Sequence, residues 1–268
     1  MQQTLEADIR GDEKAIRLLT GESKATTSKL HREEAALKLA EAREKAVLAA
    51  AKKKPAPAHT RNQDDPIPHG ARFPDLSADQ PNIDLLAVKK ATALRFGPLA
   101  VTKLTEGVTY TDEYGLTRLK DMKQFGFAHR GAYHFGHPSD SPLEQAEHFL
   151  NSGGAELTAA DIAIYDCEVT DGESAATVAA TAAQWAHYVA QHTEAKLWLY
   201  GGGPFLKENG VTLLGYAAHW LAAYVDDPTP YMVFGKKNTV AWQYTDGVHG
   251  VTPHSVPGIG SCDLSLIL

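Results

Sequence analysis

The chain has 268 residues, a formal net charge of -7 and 43 % hydrophobic residues, room for one large α/β domain with an appendage. No run of about 18 apolar residues occurs, which excludes a membrane-spanning helix and membrane insertion. No nucleic-acid partner is expected.

Residues 1–54 contain no Phe, Trp, Tyr, Cys or Pro and are rich in Ala, Glu, Lys, Arg and Leu, the composition of helix. One helix is expected from about Thr27 to Lys54, with a shorter one around Glu13 to Leu19. The larger apolar residues form one weak stripe and no sustained heptad seam. This region carries +3 and the remainder -10. The roles open to it are a bland helical appendage, docking of a partner, or self-association. Residues 55–70, with four prolines among polar residues, read as a linker. The N-terminus, charged throughout, lacks the apolar core of a secretory signal. The two cysteines, Cys167 and Cys262, fit no disulfide framework and no metal spacing, and read as small buried hydrophobes.

From 71 to 268 the composition is that of a packed domain. Short apolar runs appear as RFPDL, LAVTKL, AHRGAYHF, IAIYDCEV, KLWLY, AAHWLAAY, TVAWQY and CDLSLI. Helical patterns over 84–94, 112–125, 141–151 and 174–192 separate the first five; Gly-rich and Pro-rich loops separate the rest. Repeated βα units predict a parallel sheet, and about eight runs predict a closed but irregular β/α barrel with fewer than eight helices.

In such a barrel functional side chains gather where the strands end. The run ends offer Asp75, Glu106, Tyr133 and His134, Asp166 and Glu168, Tyr200, Trp220 and Tyr224, Gln243 and Asp263. Asp166 and Glu168 are two apart on a strand, so both face the mouth while Cys167 faces the helices. Two close carboxylates resist joint ionisation, and a carboxyl kept protonated is what general-acid cleavage of a glycosidic bond requires. The aromatics at or near strand ends, including Trp242 and Tyr244, suit the apolar faces of pyranose rings. Core packing is the alternative, favoured for Trp185 and Trp198 and equally open for Trp220 and Tyr224. No HExxH or H-x3-H spacing relates the histidines, so no metal site and no cofactor is expected, and His134 is read as a supporting hydrogen-bonder. Gly201 to Gly203 lack the Lys-Ser/Thr of a phosphate loop.

Taken in order, Asp75-x-Ser77-x-x-Gln80, Lys103-x-Thr105-Glu106-Gly107, Tyr133-His134-Phe135, Asp166-x-Glu168, Trp220-x-Ala222-x-Tyr224, Trp242-Gln243-Tyr244 and the closing Asp263 resemble the glycoside hydrolase family 25 muramidases. Ala78-Asp79 in place of an aromatic before Gln80, and a loop widened by Gly201 to Gly203, depart from that pattern, and residues 1–70 have no counterpart in it. The resemblance implies an irregular barrel that cleaves the β-1,4 bond between N-acetylmuramic acid and N-acetylglucosamine in bacterial peptidoglycan. It implies Glu168 as general acid with Asp166, Asp75 and Asp263 as the other active-site acids, and Glu106, Tyr133, His134, Tyr200, Trp220, Tyr224 and Gln243 as substrate-binding residues. Substrate-assisted retention is the favoured route, inversion with Asp75 or Asp263 as base the competing one. The expected setting is a phage endolysin made without a signal peptide in the host cytoplasm and acting on the wall, a virion-associated lysin being the runner-up. The non-enzymatic alternative is a wall-binding or virion structural module with little turnover.

Overall fold

A computed structural model describes residues 67–268. The helices expected in residues 1–54, and all of the linker before Ile67, lie outside the described residues.

Eight strands close a barrel: β1 (Arg72–Leu76), β2 (Leu99–Glu106), β4 (His129–Phe135), β5 (Ile162–Asp166), β6 (Lys196–Gly202), β7 (Ala218–Ala222), β8 (Thr239–Thr245) and β11 (Asp263–Ile267). A short β3 (Tyr110–Thr111) folds back on β2, and β9 (Ser255–Val256) pairs with β10 (Gly260–Ser261) in a separate hairpin. From β1 round to β8 each neighbouring pair is parallel. The eighth run corrects the all-parallel expectation: β11 is antiparallel to both β8 and β1, so the barrel is mixed. Alternation of apolar residues is the same read in either direction, and gives no polarity. The reversal brings the first residue of β11, Asp263, opposite Asp75 at the end of β1.

Helices clothe the first part of the barrel: α1 (Leu85–Lys90), α2 (Gly115–Gln124), α3 (Pro142–Asn151) and α4 (Ala175–Val189). The starts of α1, α3 and α4 follow from capping chemistry. Asp84 accepts the Ala87 N–H, Ser141 the Glu144 N–H ahead of Pro142, and Ser174 the Thr177 N–H. On α4, Val178, Ala182, Trp185, Ala186 and Val189 repeat at helical spacing and bury against the barrel. The expected Gly-rich loop after the fifth run is instead a strand end followed by α5 (Gly203–Glu208). Gly203 is required there: a Cβ would fall 1.9 Å from the Tyr231 carbonyl oxygen.

Period-2 alternation divides the strands into two cores. The inward set, including Phe73, Val101, Ile164, Tyr200, Trp220 and Ala241, fills the barrel. The outward set, including Leu104, Ala132, Tyr165, Cys167, Leu199 and Leu264, packs under helices and loops. Both cysteines are buried and unpaired by disulfide, and Cys167 lies on the helix side.

Candidate active site

The inward set that is apolar at the base of the barrel turns polar where the parallel strands end. Asp75, Ser77, Asp79, Lys103, Tyr133, Phe135, Ile164, Asp166, Glu168, Tyr200, Trp220 and Asp263 line one pocket of about 210 Å³. Phe73 packs on Trp220 and Trp220 on Tyr200, with ring centroids 5.2 and 4.6 Å apart, so the floor is aromatic and fixed. The Trp220 indole N–H donates to Ser265 Oγ at 3.0 Å. The wall is acidic, and Lys103 is the one cation among its lining residues.

The four acids sit in unequal surroundings. Asp75 and Asp166 are buried, Asp263 is half-buried, and Glu168 is solvent-accessible at the rim of this concave mouth. Burial, then the charge of Asp263, pushes the Asp75 carboxyl well above the usual range. Burial, then Glu168, does the same for Asp166, with Lys103 opposing. Glu168 is raised by desolvation and by Asp263. Asp263 is raised to about 6 by burial and by Asp246 and Asp79. One oxygen of Asp166, Oδ1, is buried without a hydrogen-bond partner among the described residues. A cluster of four mutually opposed carboxyls, with one acceptor left open, can hold protons to higher pH than free carboxyls do and accept a donor from a ligand.

Gln243 organises this cluster. Its Nε2 donates to both oxygens of Asp75 at 3.2 Å and to Asp263 Oδ2 at 3.4 Å, while its Oε1 accepts the hydroxyls of Tyr200 at 2.7 Å and Tyr224 at 2.8 Å. It is 1 % exposed and its amide is fully engaged, which corrects its reading as a substrate-binding residue. Tyr200 lines the floor, whereas Tyr224 is 39 % exposed beside the mouth.

His134 makes hydrogen bonds inside the core, as the reading of the residues expected, and does not line the pocket as the resemblance implied. It follows inward-facing Tyr133 on a strand and therefore points the other way. It is fully buried on the helix side, stacked on Trp185, with Nδ1 2.8 Å from Thr105 Oγ1 and Nε2 3.0 Å from Gln145 Oε1. Burial pushes its pKa down to about 3, so the ring is neutral: Nε2–H donates to Gln145 and Nδ1 accepts from Thr105. It holds β4 to α3 and touches no ligand space. By the same alternation Trp242 and Tyr244 face outward with the helix-side core, so neither reaches the mouth.

Glu106 lies just outside the pocket lining, between Lys103 Nζ at 2.5 Å and His137 Nε2 at 3.2 Å. Burial works against its ionisation, but the hydrogen bonds from Lys103 and His137 outweigh it and hold the carboxyl below its usual range. Lys103 is boxed by the rings of Phe135, Tyr110 and Tyr133, its Nζ 5.2 to 5.9 Å from their centroids.

Sequence reasoning passed over Lys103, Phe135, Ser77 and Asp79 as lining residues. The signal for Lys103 and Phe135 was present, since each extends the inward set of its strand by two. Asp112 and Arg118 were also missed, and for them no local signal exists. Asp112 accepts the Ala78 N–H at 2.7 Å, and Arg118 Nη1 donates to the Ser77 carbonyl at 2.7 Å and Nη2 to that of Gln80. Together they pin the loop after Asp75. Gln80 closes the same loop by accepting the Ser77 N–H at 2.9 Å.

Comparison with known proteins agrees with this geometry. The family model for glycosyl hydrolases family 25 matches residues 74–251, about two thirds of the chain. The match stops short of Asp263, which the barrel itself brings beside Asp75. The uncharacterized protein YegX of Escherichia coli K12 is 28 % identical over 195 residues, 68 % of this chain and 67 % of that protein. A bacterial lysozyme from Streptomyces coelicolor superposes with a TM-score of 0.60 at 21 % identity, covering 74 % of this chain and 92 % of that one. The catalytic domain of endolysin ply40, from bacteriophage P40 of Listeria monocytogenes, does so with 0.57 at 20 %, covering 74 % and 93 %. At these identities the two superpositions establish the barrel. The family match establishes the class: the chain belongs to glycosyl hydrolases family 25 and is a glycoside hydrolase.

Proposed function

We propose that the enzyme is an N-acetylmuramidase, cleaving the β-1,4 bond between N-acetylmuramic acid and N-acetylglucosamine in bacterial peptidoglycan, with residues 71–268 as the catalytic domain. The observation that carries this reading is the acid cluster over an aromatic floor, with Glu168 accessible at the rim and Asp166 Oδ1 open beside it. The likeness to a lysozyme and to an endolysin catalytic domain supports it.

The chemistry follows from the placement. Glu168, whose carboxyl desolvation in the mouth and the charge of Asp263 raise above its usual range, donates its proton to the leaving glycosidic oxygen as that bond breaks. The substrate's own acetamido oxygen forms the new bond to the anomeric carbon, giving a cyclic oxazolinium ion. Asp166 accepts the acetamido N–H; the charge that is costly in the empty mouth is relieved as positive charge develops on the ring. Glu168, now a carboxylate, takes a proton from the water that opens the intermediate. Asp75 and Asp263 stabilise the same positive charge, and Tyr133, Tyr200, Trp220 and Tyr224 shape the sugar subsites. Two displacements at one carbon give net retention.

The test is mass spectrometry of borohydride-reduced digests of purified peptidoglycan. N-acetylmuramitol at the new ends is expected; N-acetylglucosaminitol, or cut peptide stems with intact glycan, would overturn the assignment. The setting we propose is phage lysis. Cells expressing the chain should lyse only once their membrane is permeabilised, and survival after permeabilisation would count against that setting. For residues 1–54 we propose an appendage that takes no part in the chemistry, with partner docking or self-association as the alternative.

A further inference from the structure

Beside the pocket lies a chain of charges that the mechanism above does not use. His137, in the loop between β4 and α3, has Nδ1 3.1 Å from both oxygens of Asp171 and Nε2 3.2 Å from Glu106 Oε1. Glu106 in turn holds Lys103, which lines the pocket and acts on Asp166. Asp171 stands three residues beyond Glu168 in the loop between β5 and α4. Its backbone has φ 52°, a left-handed conformation that aspartate adopts more readily than most non-glycine residues. Ser139 adds its backbone N–H and its hydroxyl to Asp171 Oδ2, at 3.4 and 3.3 Å.

An imidazole bridging two carboxylates is a donor to both only when both nitrogens carry hydrogen. We propose that His137 is a positioning residue for the glycosidase site: as the imidazolium it ties the loop that carries Glu168 to the strand end that carries Glu106 and Lys103. On deprotonation one ring nitrogen turns a lone pair toward a carboxylate, and the tie opens on that side. The proposal rests on the assignment of Glu168 as the acid.

The surroundings of His137 favour the cation. Glu106 faces it from β2 with Lys103 behind, Asp171 from the β5–α4 loop, and Asp140 from its own loop across Gly107. The Phe135 ring lies 5.4 Å away, and His148 of α3 is bound to the Gly107 carbonyl. Burial works against protonation, but the hydrogen bonds to Glu106 and Asp171 outweigh it and raise the pKa above the ordinary histidine value. The tie is therefore complete below that raised pKa and is lost as pH rises through it. Both side chains of the His137–Asp171 bond are partly exposed, so solvent screening keeps the effect modest.

The experiment is the pH profile of kcat on soluble peptidoglycan fragments for the full chain, His137→Gln and Asp171→Asn, with the His137 pKa read by NMR of its ring Cε1–H. The wild type should show a step down of about three- to tenfold as His137 deprotonates, the scale of an exposed charge-assisted bond. His137→Gln should lack this step and sit near the high-pH level of the wild type. Asp171→Asn should move both the step and the NMR pKa to lower pH. The proposal is overturned if the step survives unchanged in His137→Gln, or if His137 titrates at or below about 6.5. Glu168→Gln run alongside separates the two claims: full activity there refutes the acid assignment, while the His137 step in the wild type still reports the clamp.

Discussion

Two groups of charge lie at opposite ends of the barrel. Where the parallel strands begin, Asp161 accepts from Arg130 Nε at 3.0 Å, from Arg130 Nη2, from the Arg130 N–H at 3.1 Å, and from the Thr158 N–H and hydroxyl at 2.9 Å. Burial opposes its charge, but Arg130 and Thr158 outweigh burial and hold the carboxyl below its usual range. Where the same strands end, Asp75, Asp166, Glu168 and Asp263 face one another with a single lysine among them, and every one is raised. The lower acid is matched to its surroundings and serves the fold. The upper four are mismatched, and in the mechanism we propose that mismatch keeps a proton available for a glycosidic oxygen.

The comparison can be broken first by substituting one acid from each end. Asp161→Asn leaves the buried Arg130 guanidinium without its counter-charge, which costs about 3–5 kcal/mol. Its Tm should fall by roughly 6–20 °C. Asp166→Asn removes a charge the fold does not favour, and its Tm should hold or rise. Scanning calorimetry of both variants checks this, and a Tm loss in Asp166→Asn as large as that in Asp161→Asn would erase the distinction.

Asp166→Asn should instead lose rate. A charge-assisted hydrogen bond is worth about 1.5–3 kcal/mol, so kcat should fall by roughly 10- to 150-fold. Asn still offers an oxygen to the acetamido N–H but lacks the charge that stabilises the oxazolinium. NMR of the anomeric proton immediately after cleavage sharpens the point, because initial inversion would exclude substrate assistance and pass the base role to Asp75 or Asp263.

The smallest effect is on stability against pH. A carboxyl whose pKa is raised on folding binds more protons in the folded state, so its contribution is complete below the unfolded value near 3.9 and is lost as pH rises through the folded value. For Asp263 that window runs up to about 6. Asp161, held low, contributes in the opposite sense, and its part is lost as pH falls below its unfolded value. Over the same range buried His134, pushed down to about 3, and His219, pushed down to about 4, make Tm rise with pH, so the acids are read as a difference. Asp75→Asn removes the loss contributed by its own raised carboxyl, and its Tm should climb more, or fall less, with pH than that of the wild type. An unchanged slope in that variant would show that folding does not raise the Asp75 carboxyl.

Much of this is legible in the sequence because the strand period is 2. Spacing alone sends Asp166 and Glu168 to one face and Cys167 to the other, and places the capped helices to within a few residues. The failures have physical causes. Tyr133 and His134 are neighbours on one strand and cannot both face inward. Gln243 looks like a free amide until residues as distant as Asp75 and Tyr200 consume it, and that closure is non-local. The polarity of β11 leaves no trace in its alternation, yet it decides that Asp263 meets Asp75.

The central claim is that Glu168 is the proton donor of a mouth whose acids are arranged for chemistry and not for stability. The direct measurement is Glu168→Gln, assayed for reducing-end release from purified peptidoglycan and for Tm on the same preparation. The rate should fall by about 10²–10⁴, the span of general-acid catalysis, with Tm unchanged or raised. A variant that keeps more than about a tenth of the wild-type rate would contradict the account, since even the weakest general acid in that span contributes more.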